Sequence, residues 1–456
     1  MKFQSIQALR GIAALLVVIY HGATFEGRLI SENGFQETPL IGGLFLSGYA
    51  GVDLFFVISG FIMVWVTQDT RPAVSSSTDF LFARLVRVYP LWWLAAGLMV
   101  AYGLSTNVLA LLAPGGGGEA PVRNSADYLA KSFLLIPQAE LPVLLVGWTL
   151  VHEVYFYCVF ALLMLAPRAL LPWALMAWGG VVVAASFAGL AKPVATGFVT
   201  LAVHPMTVEF ILGALAGLLV TSGIRRRGGV VTLVATLWLT SSLCLQGPPD
   251  EHTLLWGRVL LFGLPCTALV YGVASLEGRD RVVWLIPAAA GAIVCASLFQ
   301  LYGLNPGSPA EARTQAVTVA AACGMLAMAC VLWAGWLGGM NFPRRMHDLG
   351  PPLRRVFAFL GRTGDWSYSI YLLHLFVLGV LKMAFSWAGQ YDALAPVFRV
   401  GAPGLLDNLV FLGCGVAGTL LAGWLGYRLV ERPLTRGFGL ARRRIFHRRQ
   451  DMAAVS

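Results

Sequence analysis

Hydrophobic runs of about 20 residues recur along the chain, and short stretches rich in charged and turn-forming residues separate them. Such a run spans the hydrocarbon core of a bilayer as one α-helix. The alternating polar and apolar segments of about ten residues that are typical of a transmembrane β-barrel do not occur in the sequence. The pattern therefore predicts an all-α fold, a polytopic transmembrane helix bundle of about 10–12 spans.

The position of each span follows from the limits of its apolar run. We predict spans at 6–25, 41–66, 88–112, 143–165, 169–190, 196–220, 229–247, 256–276, 282–303, 315–338, 366–388 and 406–428.

The charges between the spans alternate in sign. Basic residues concentrate in every second loop, as at 225–227 and 344–345, whereas the opposite loops are acidic or poor in positive charge, as at Glu119 and Asp250. The positive-inside rule then places both termini in the cytoplasm. We predict a transmembrane domain over 1–438 and a basic cytoplasmic tail over 439–456 that contacts anionic membrane lipids.

Composition supports the same class of protein. Of the 456 residues, 58% are hydrophobic and only 12% are charged, with a mean hydropathy of +0.74, whereas a soluble domain carries about 25% charged residues. The net charge of +10 follows membrane topology, so we do not expect nucleic acid as a partner. The seven cysteines lie almost entirely in apolar runs without CxxC spacing, which favours packing roles, and we predict no metal site.

Two ionisable residues in the first span are candidates for function, because charged groups inside a membrane are costly. Arg10 and His21 are eleven residues apart, which brings them within about 20° of one helix face and about 16 Å apart along the axis. One stripe of the first helix thus joins the cytoplasmic surface to the membrane interior. The alternative interpretation is that Arg10 is an inner-leaflet anchor and His21 a core histidine with satisfied hydrogen bonds.

Other titratable residues are predicted at similar depths in later spans. Asp53 and Glu153 lie near the middle of their helices, and Ser367, Tyr371 and His374 share one face of another. A histidine held by Asp53 or Glu153 would be oriented and more basic, as general-base catalysis requires. Hydrogen bonds that lock the helices together would explain each residue singly but explain their common depth less well.

A pair of arginines precedes the third predicted span. Arg84 and Arg87 are three residues apart and therefore share a helix face. Paired guanidinium groups suit bidentate recognition of phosphate. Taken alone, the pair favours the interpretation as ordinary positive-inside anchors.

These residues fall in motifs that together resemble the acyltransferase 3 family of bacterial membrane O-acyltransferases. The Arg-x10-His motif corresponds to Arg10 and His21, and Phe-Phe-x-Ile-Ser-Gly-Phe to Phe55–Phe61. The remaining motifs correspond to an arginine segment before Tyr-Pro with Arg84 and Arg87, to Trp148–Tyr157 with Glu153, to Ser367–His374, and to Glu431-Arg432-Pro433. The motifs keep their order over nearly the whole chain.

The resemblance implies transfer of an acyl group, usually acetyl from acetyl-CoA, to a carbohydrate acceptor such as exopolysaccharide, O-antigen or a lipid-linked oligosaccharide. It implies a multi-pass protein of the bacterial inner membrane. On this reading Arg10, Arg84 and Arg87 contact the CoA donor, and His21 is a general base or a covalent acyl carrier. Asp53, Glu153 and His374 complete the catalytic set. Acceptor contacts are expected from Trp148, Tyr157, Ser367 and Tyr371.

Two features depart from the family pattern. Its members usually have ten or eleven spans, and its arginine motif often carries an adjacent arginine that this chain lacks. The sequence leaves the identity of the acyl group, the route of transfer and the formation of a homo-oligomer open.

The chief alternative is a transporter or flippase for a glycolipid or polysaccharide precursor, which would also have many helices and polar groups at mid-depth. It predicts internal repeats and interrupted helices, which the sequence does not reveal. A membrane scaffold protein would give no reason for the alignment of Arg10 with His21.

Overall fold

The computed structural model describes residues 3–36, 44–106, 126–250, 254–277, 285–302, 351–442 and 445–446. Regular structure in these ranges is entirely helical, which confirms the all-α prediction. The α-helices are α1 (Gln4–Glu32), α2 (Gly51–Val66), α3 (Val74–Thr106), α4 (Ala126–Leu134), α5 (Gly147–Leu163), α6 (Leu171–Phe187), α7 (Phe198–Ala202), α8 (Met206–Thr221), α9 (Gly228–Gln246), α10 (Trp256–Arg258), α11 (Leu264–Glu277), α12 (Leu285–Tyr302), α13 (Pro351–Ala388), α14 (Leu405–Gly426) and α15 (Arg432–Arg442).

Nine helical segments in the described ranges are long and apolar enough to cross a membrane, and Gly147–Leu163 is a shorter apolar helix. Most ends fall within a few residues of the predicted spans. The predicted span at 315–338 lies outside the described residues.

The start of the third span differs from the prediction. We expected the span to begin at residue 88, after Arg84 and Arg87, but α3 begins at Val74 and runs through both arginines and Pro90. Hydropathy places a boundary where polar residues begin, whereas backbone hydrogen bonds continue through polar residues. A proline within a membrane helix is tolerated where neighbouring groups satisfy the freed carbonyl.

One predicted span is interrupted. The segment expected at 196–220 consists of α7 and α8, and His204 and Pro205 lie in the break between them. Because Pro205 lacks an N–H group, the helix restarts beside it. The Met206 N–H donates to His204 Nδ1 over 3.3 Å, so the histidine side chain satisfies one of the free donors at the start of α8.

Two compact units make up the chain, and the first comprises residues 1–65 and 212–423. Within it, α1 packs along α13, and α9 packs against both α11 and α12. Buried apolar side chains of α1, α2 and α11, among them Val57, Phe61 and Val270, form its main core. This unit holds His21, Asp53 and His374.

The second unit comprises residues 66–211 and 424–456. Within it, α3 packs against α5 and α15. Phe156 is fully buried and stacks on Phe210 with ring centroids 4.1 Å apart. This unit holds Arg84, Arg87 and Glu153.

Candidate active site

Two histidines from distant parts of the sequence meet in the first unit. His374 Nε2 lies 3.2 Å from His21 Nδ1, and the ring centroids are 4.9 Å apart. His374 is fully buried and His21 is half-buried. The structure therefore joins the two histidines that the family resemblance places in one catalytic set.

Backbone contacts determine the tautomers of this pair when both rings are neutral. His374 Nδ1 lies 2.7 Å from the Tyr371 carbonyl oxygen, so that nitrogen carries the proton and donates it. His374 Nε2 is then an acceptor and receives the Nδ1–H of His21, which also lies 3.0 Å from the Val17 carbonyl oxygen. Consequently His21 Nε2 carries a lone pair, and it has no hydrogen-bond partner among the described residues.

Close helix packing brings the histidines together. Helices α1 and α13 run side by side, and Ala14 and Val18 of α1 pack on Ile370 of α13. A Cβ atom on Gly364 would collide with the carbonyl oxygen of Gln7, so the helices touch through their backbones there. Small residues permit such an approach in membrane proteins.

Asp53 has a different partner from the predicted histidine. Its Oδ1 accepts from Arg258 Nε over 2.6 Å, and both side chains are almost completely buried. Arg258 also donates from Nη2 to the Tyr49 carbonyl oxygen over 3.2 Å. Asp53 Oδ2 is buried without a hydrogen-bond partner in the described residues.

Aromatic rings connect this ion pair with the histidines. The Arg258 guanidinium lies 5.2 Å from the centre of the Tyr49 ring, and the Tyr49 ring meets the Tyr20 ring edge-on at 5.5 Å. Tyr20 in turn meets the His21 ring at 4.9 Å. The pair therefore helps to determine the packing around His21 without bonding to it. Arg258 was missed in the sequence, although an arginine within the predicted span 256–276 was a detectable signal.

Arg84, Glu153 and Tyr157 form a separate cluster in the second unit. Tyr157 donates a hydrogen bond to Glu153 Oε1. Arg84 interacts electrostatically with both residues and with Arg87. The Arg84 Nε atom is buried without a hydrogen-bond partner in the described part of the chain, and its guanidinium lies 5.4 Å from the centre of the Phe80 ring. The cluster thus holds a guanidinium with an unused donor.

The remaining predicted residues have identifiable places. Arg10 and His21 lie on one unbroken helix, as their spacing predicted, and Arg10 is half-buried. Ser367 donates to the Gly364 carbonyl oxygen of its own helix over 2.9 Å. Tyr371 packs edge-on against Phe55, and Trp148 packs edge-on against His152. Their predicted acceptor contacts stay predictions. No group of three or more potential metal ligands occurs among the described residues.

A family model described as an acyltransferase domain matches residues 3–428, which is almost the whole chain. The chain belongs to this acyltransferase family. The resemblance inferred from the motifs is therefore confirmed, and the protein is a multi-pass membrane acyltransferase.

Two curated proteins are similar to parts of this chain of very different length. The chain is 28% identical over 421 residues to the Exopolysaccharide production protein ExoZ of Rhizobium meliloti (strain 1021), which covers 90% of this chain and 96% of that protein. It is 35% identical over 114 residues to Protein 2 in picA locus of Rhizobium radiobacter, covering 25% of this chain and 52% of that protein. No solved structure matches the chain.

Proposed function

We propose that this protein transfers acetyl from acetyl-CoA to a hydroxyl group of an exopolysaccharide or its lipid-linked precursor, in the inner membrane of a bacterium. The acyltransferase family supports the reaction class. The acceptor class is supported by the similarity to the exopolysaccharide production protein, which extends over 90% of this chain. O-antigen and other lipid-linked oligosaccharides are the alternative acceptors within the same chemistry.

The observation that carries the mechanism is the hydrogen bond between His21 and His374. A general base needs an unprotonated nitrogen and a second group that orients the ring. His374 fits the orienting role, because its own Nδ1–H is held by the Tyr371 carbonyl oxygen. His21 Nε2 is then the nitrogen available to a substrate. We assign the role of base to His21 and the orienting role to His374.

In the proposed step, His21 Nε2 removes the proton from an acceptor hydroxyl. The hydroxyl oxygen forms a bond to the thioester carbonyl carbon, and the carbon–sulfur bond breaks with its electron pair on sulfur. The imidazolium then returns the proton to the thiolate, which leaves as free CoA thiol. Proton and electrons balance without any other reactant.

Arginines are assigned to the donor. CoA carries several phosphate groups, and guanidinium groups bind phosphate through paired, charge-assisted hydrogen bonds. Arg84 and Arg87 share a face of α3, and Arg84 has a buried unused donor at Nε. Glu153 and Tyr157 are placed beside Arg84, which favours a role in fixing that guanidinium over the predicted role of holding the catalytic histidine.

The test is acetyl transfer by the purified protein reconstituted in phospholipid vesicles. Acetyl-CoA labelled in the acetyl group is added with and without an exopolysaccharide acceptor, and released thiol and labelled acceptor are measured together. We expect release that depends on the acceptor and equals the acetyl incorporated. Release without labelled acceptor would indicate a hydrolase, and the absence of release with every acceptor would reject acetyl-CoA as donor.

The same assay distinguishes direct transfer from a covalent acyl-histidine. Without acceptor, direct transfer leaves the protein unlabelled after rapid quenching. A covalent route gives up to one labelled acetyl group per chain, and that label is lost when acceptor is added.

A further inference from the structure

Arg442, near the C-terminal end of the chain, interacts electrostatically with Arg84 of the second unit. We propose that Arg442 is a donor-binding residue that acts together with Arg84 and Arg87 on the phosphates of CoA. The proposal rests on the proposed function, and it assigns a binding role to a residue that the sequence analysis had placed in a basic tail.

Two contacts hold this part of the chain against α3. Arg442 donates from Nε and Nη2 to the two carboxylate oxygens of Asp79, the second over 2.6 Å. Four residues later, the Phe446 ring lies 5.9 Å from the Phe82 ring. Asp79 lies five residues before Arg84 and eight before Arg87, which is about 7.5 Å and about 12 Å along the helix axis. The bond to Asp79 therefore holds Arg442 on the same helix as the predicted donor arginines.

Charge at this place is unbalanced in favour of an anion. Arg84 interacts electrostatically with Arg87 and with Arg442, and each of these interactions is repulsive. Like charges in a partly buried site cost free energy that a ligand with several negative charges would recover. Asp79 neutralises Arg442, while Glu153 lies beside Arg84. These five side chains together carry one net positive charge, and the buried Arg84 Nε has no acceptor within the described residues.

The Asp79–Arg442 pair is open enough to exchange partners. The Arg442 side chain is 37% exposed and that of Asp79 is 17% exposed. A phosphate group offers the same paired oxygens that the carboxylate now offers, and it binds a guanidinium with the same fork geometry. The Asp79 carboxylate thus occupies the position in which a phosphate would bind. Donor binding would require the Arg442 guanidinium to leave Asp79 or to bind the carboxylate and the phosphate together.

This role and a purely structural role predict opposite effects of the Asp79 change. If Arg442 binds phosphate, Asp79→Asn removes a competing carboxylate and should strengthen CoA binding, whereas Arg442→Gln should weaken it. If the pair only fastens α15 to α3, both substitutions break the same bond and should weaken CoA binding alike.

The experiment measures CoA binding to the purified full chain in detergent by isothermal titration calorimetry. We expect Arg442→Gln to raise the dissociation constant about tenfold or more, as for loss of a charge-assisted hydrogen bond, and Asp79→Asn to lower it. Arg436→Gln is the matched control, because Arg436 is an exposed arginine on the same helix, and it should leave the constant unchanged. Melting temperatures without CoA identify any variant that is merely unfolded.

Each outcome has a defined meaning. Weaker binding in both Asp79→Asn and Arg442→Gln would overturn the proposal in favour of a structural fastening. Unchanged binding in Arg442→Gln would also overturn it, because Arg442 would then have no effect on the donor. If Arg442→Gln does not fold, the direction of the Asp79→Asn effect decides alone. Failure of the unaltered protein to bind CoA would instead contradict the proposed donor.

Discussion

His374 Nε2 lies 3.2 Å from His21 Nδ1, although 353 residues separate the two histidines in the sequence. In a catalytic triad a carboxylate occupies the position that His374 occupies here. A neutral histidine can fill it because a backbone carbonyl oxygen holds its other nitrogen. The relationship leads to a prediction about which of the two rings performs the chemistry.

Replacing His21 with Gln should abolish acetyl transfer, because a positioned general base contributes roughly 10²–10⁴-fold to the rate. His374→Ala should lower turnover by a smaller factor and leave the affinity for CoA unchanged, since the base remains and only the Val17 carbonyl oxygen still holds its Nδ1–H. His374→Asn should recover part of the loss, because its amide oxygen can accept the His21 Nδ1–H. Turnover and CoA affinity are measured on monodisperse protein.

The two histidines could have the reverse roles, and the same variants reveal it. Near-normal turnover in His21→Gln combined with none in His374→Ala would make His374 the base. Equal loss of CoA affinity in both variants would instead indicate damage to packing.

The helices were predictable from the sequence, whereas the pairing of polar side chains was not. Hydropathy reports directly which segments lie in lipid, so the span predicted at 229–247 is the helix Gly228–Gln246. Asp53 was one of the two carboxylates predicted to hold a histidine, with Glu153 as the other, but the partner of Asp53 depends on which helices are neighbours. Arg258 lies 205 residues away, and no local pattern encodes that contact.

The Asp53–Arg258 pair should act mainly on stability. Either Asp53→Asn or Arg258→Gln alone leaves a buried group without its partner, and we expect the free energy of unfolding to fall by about 3–5 kcal/mol. The double variant should regain much of this loss, because neither charge is left unpaired. Denaturant unfolding in detergent, read as a double-mutant cycle, measures the coupling.

Loss of turnover without loss of stability would instead support the orienting role that the sequence predicted for Asp53. If Asp53 orients the catalytic histidine, Asp53→Asn should lower turnover at unchanged free energy of unfolding, and the second substitution should not recover activity.

The orientation in the membrane stays a prediction that labelling can test. Arg226 and Asp250 lie beyond opposite ends of α9, whose 19 residues extend about 28 Å, nearly the thickness of the hydrocarbon core. With both termini in the cytoplasm, Asp250→Cys should react with an impermeant maleimide added to whole cells, whereas Arg226→Cys should react only after lysis. Labelling of the unaltered protein measures the background from native cysteines, and the reverse pattern would invert the topology. The corresponding predictions for Glu119 and Arg345 concern positions outside the described residues.

Two glycines of α13 provide a matched test of the link between helix packing and chemistry. A Cβ atom on Gly364 would collide with the Gln7 carbonyl oxygen, whereas one on Gly361 would meet nothing within 4 Å. We expect Gly364→Ala to cost about 1–3 kcal/mol of stability, because α1 must move away from α13. Gly361→Ala should be neutral or stabilising by up to about 1 kcal/mol, since alanine favours a helix.

Turnover should also distinguish the two glycine variants. The hydrogen bond from His21 Nδ1 to His374 Nε2 joins the helices that Gly364→Ala would push apart. At 3.2 Å it is already at the long end of the usual range, so a small further separation would break it. Turnover should therefore fall in Gly364→Ala even at temperatures where this variant is fully folded, while its CoA affinity stays the same. Gly361→Ala should keep normal turnover. Equal turnover in both variants would mean that the spacing of the two histidines does not limit acyl transfer, and the orienting role of His374 would have to be abandoned.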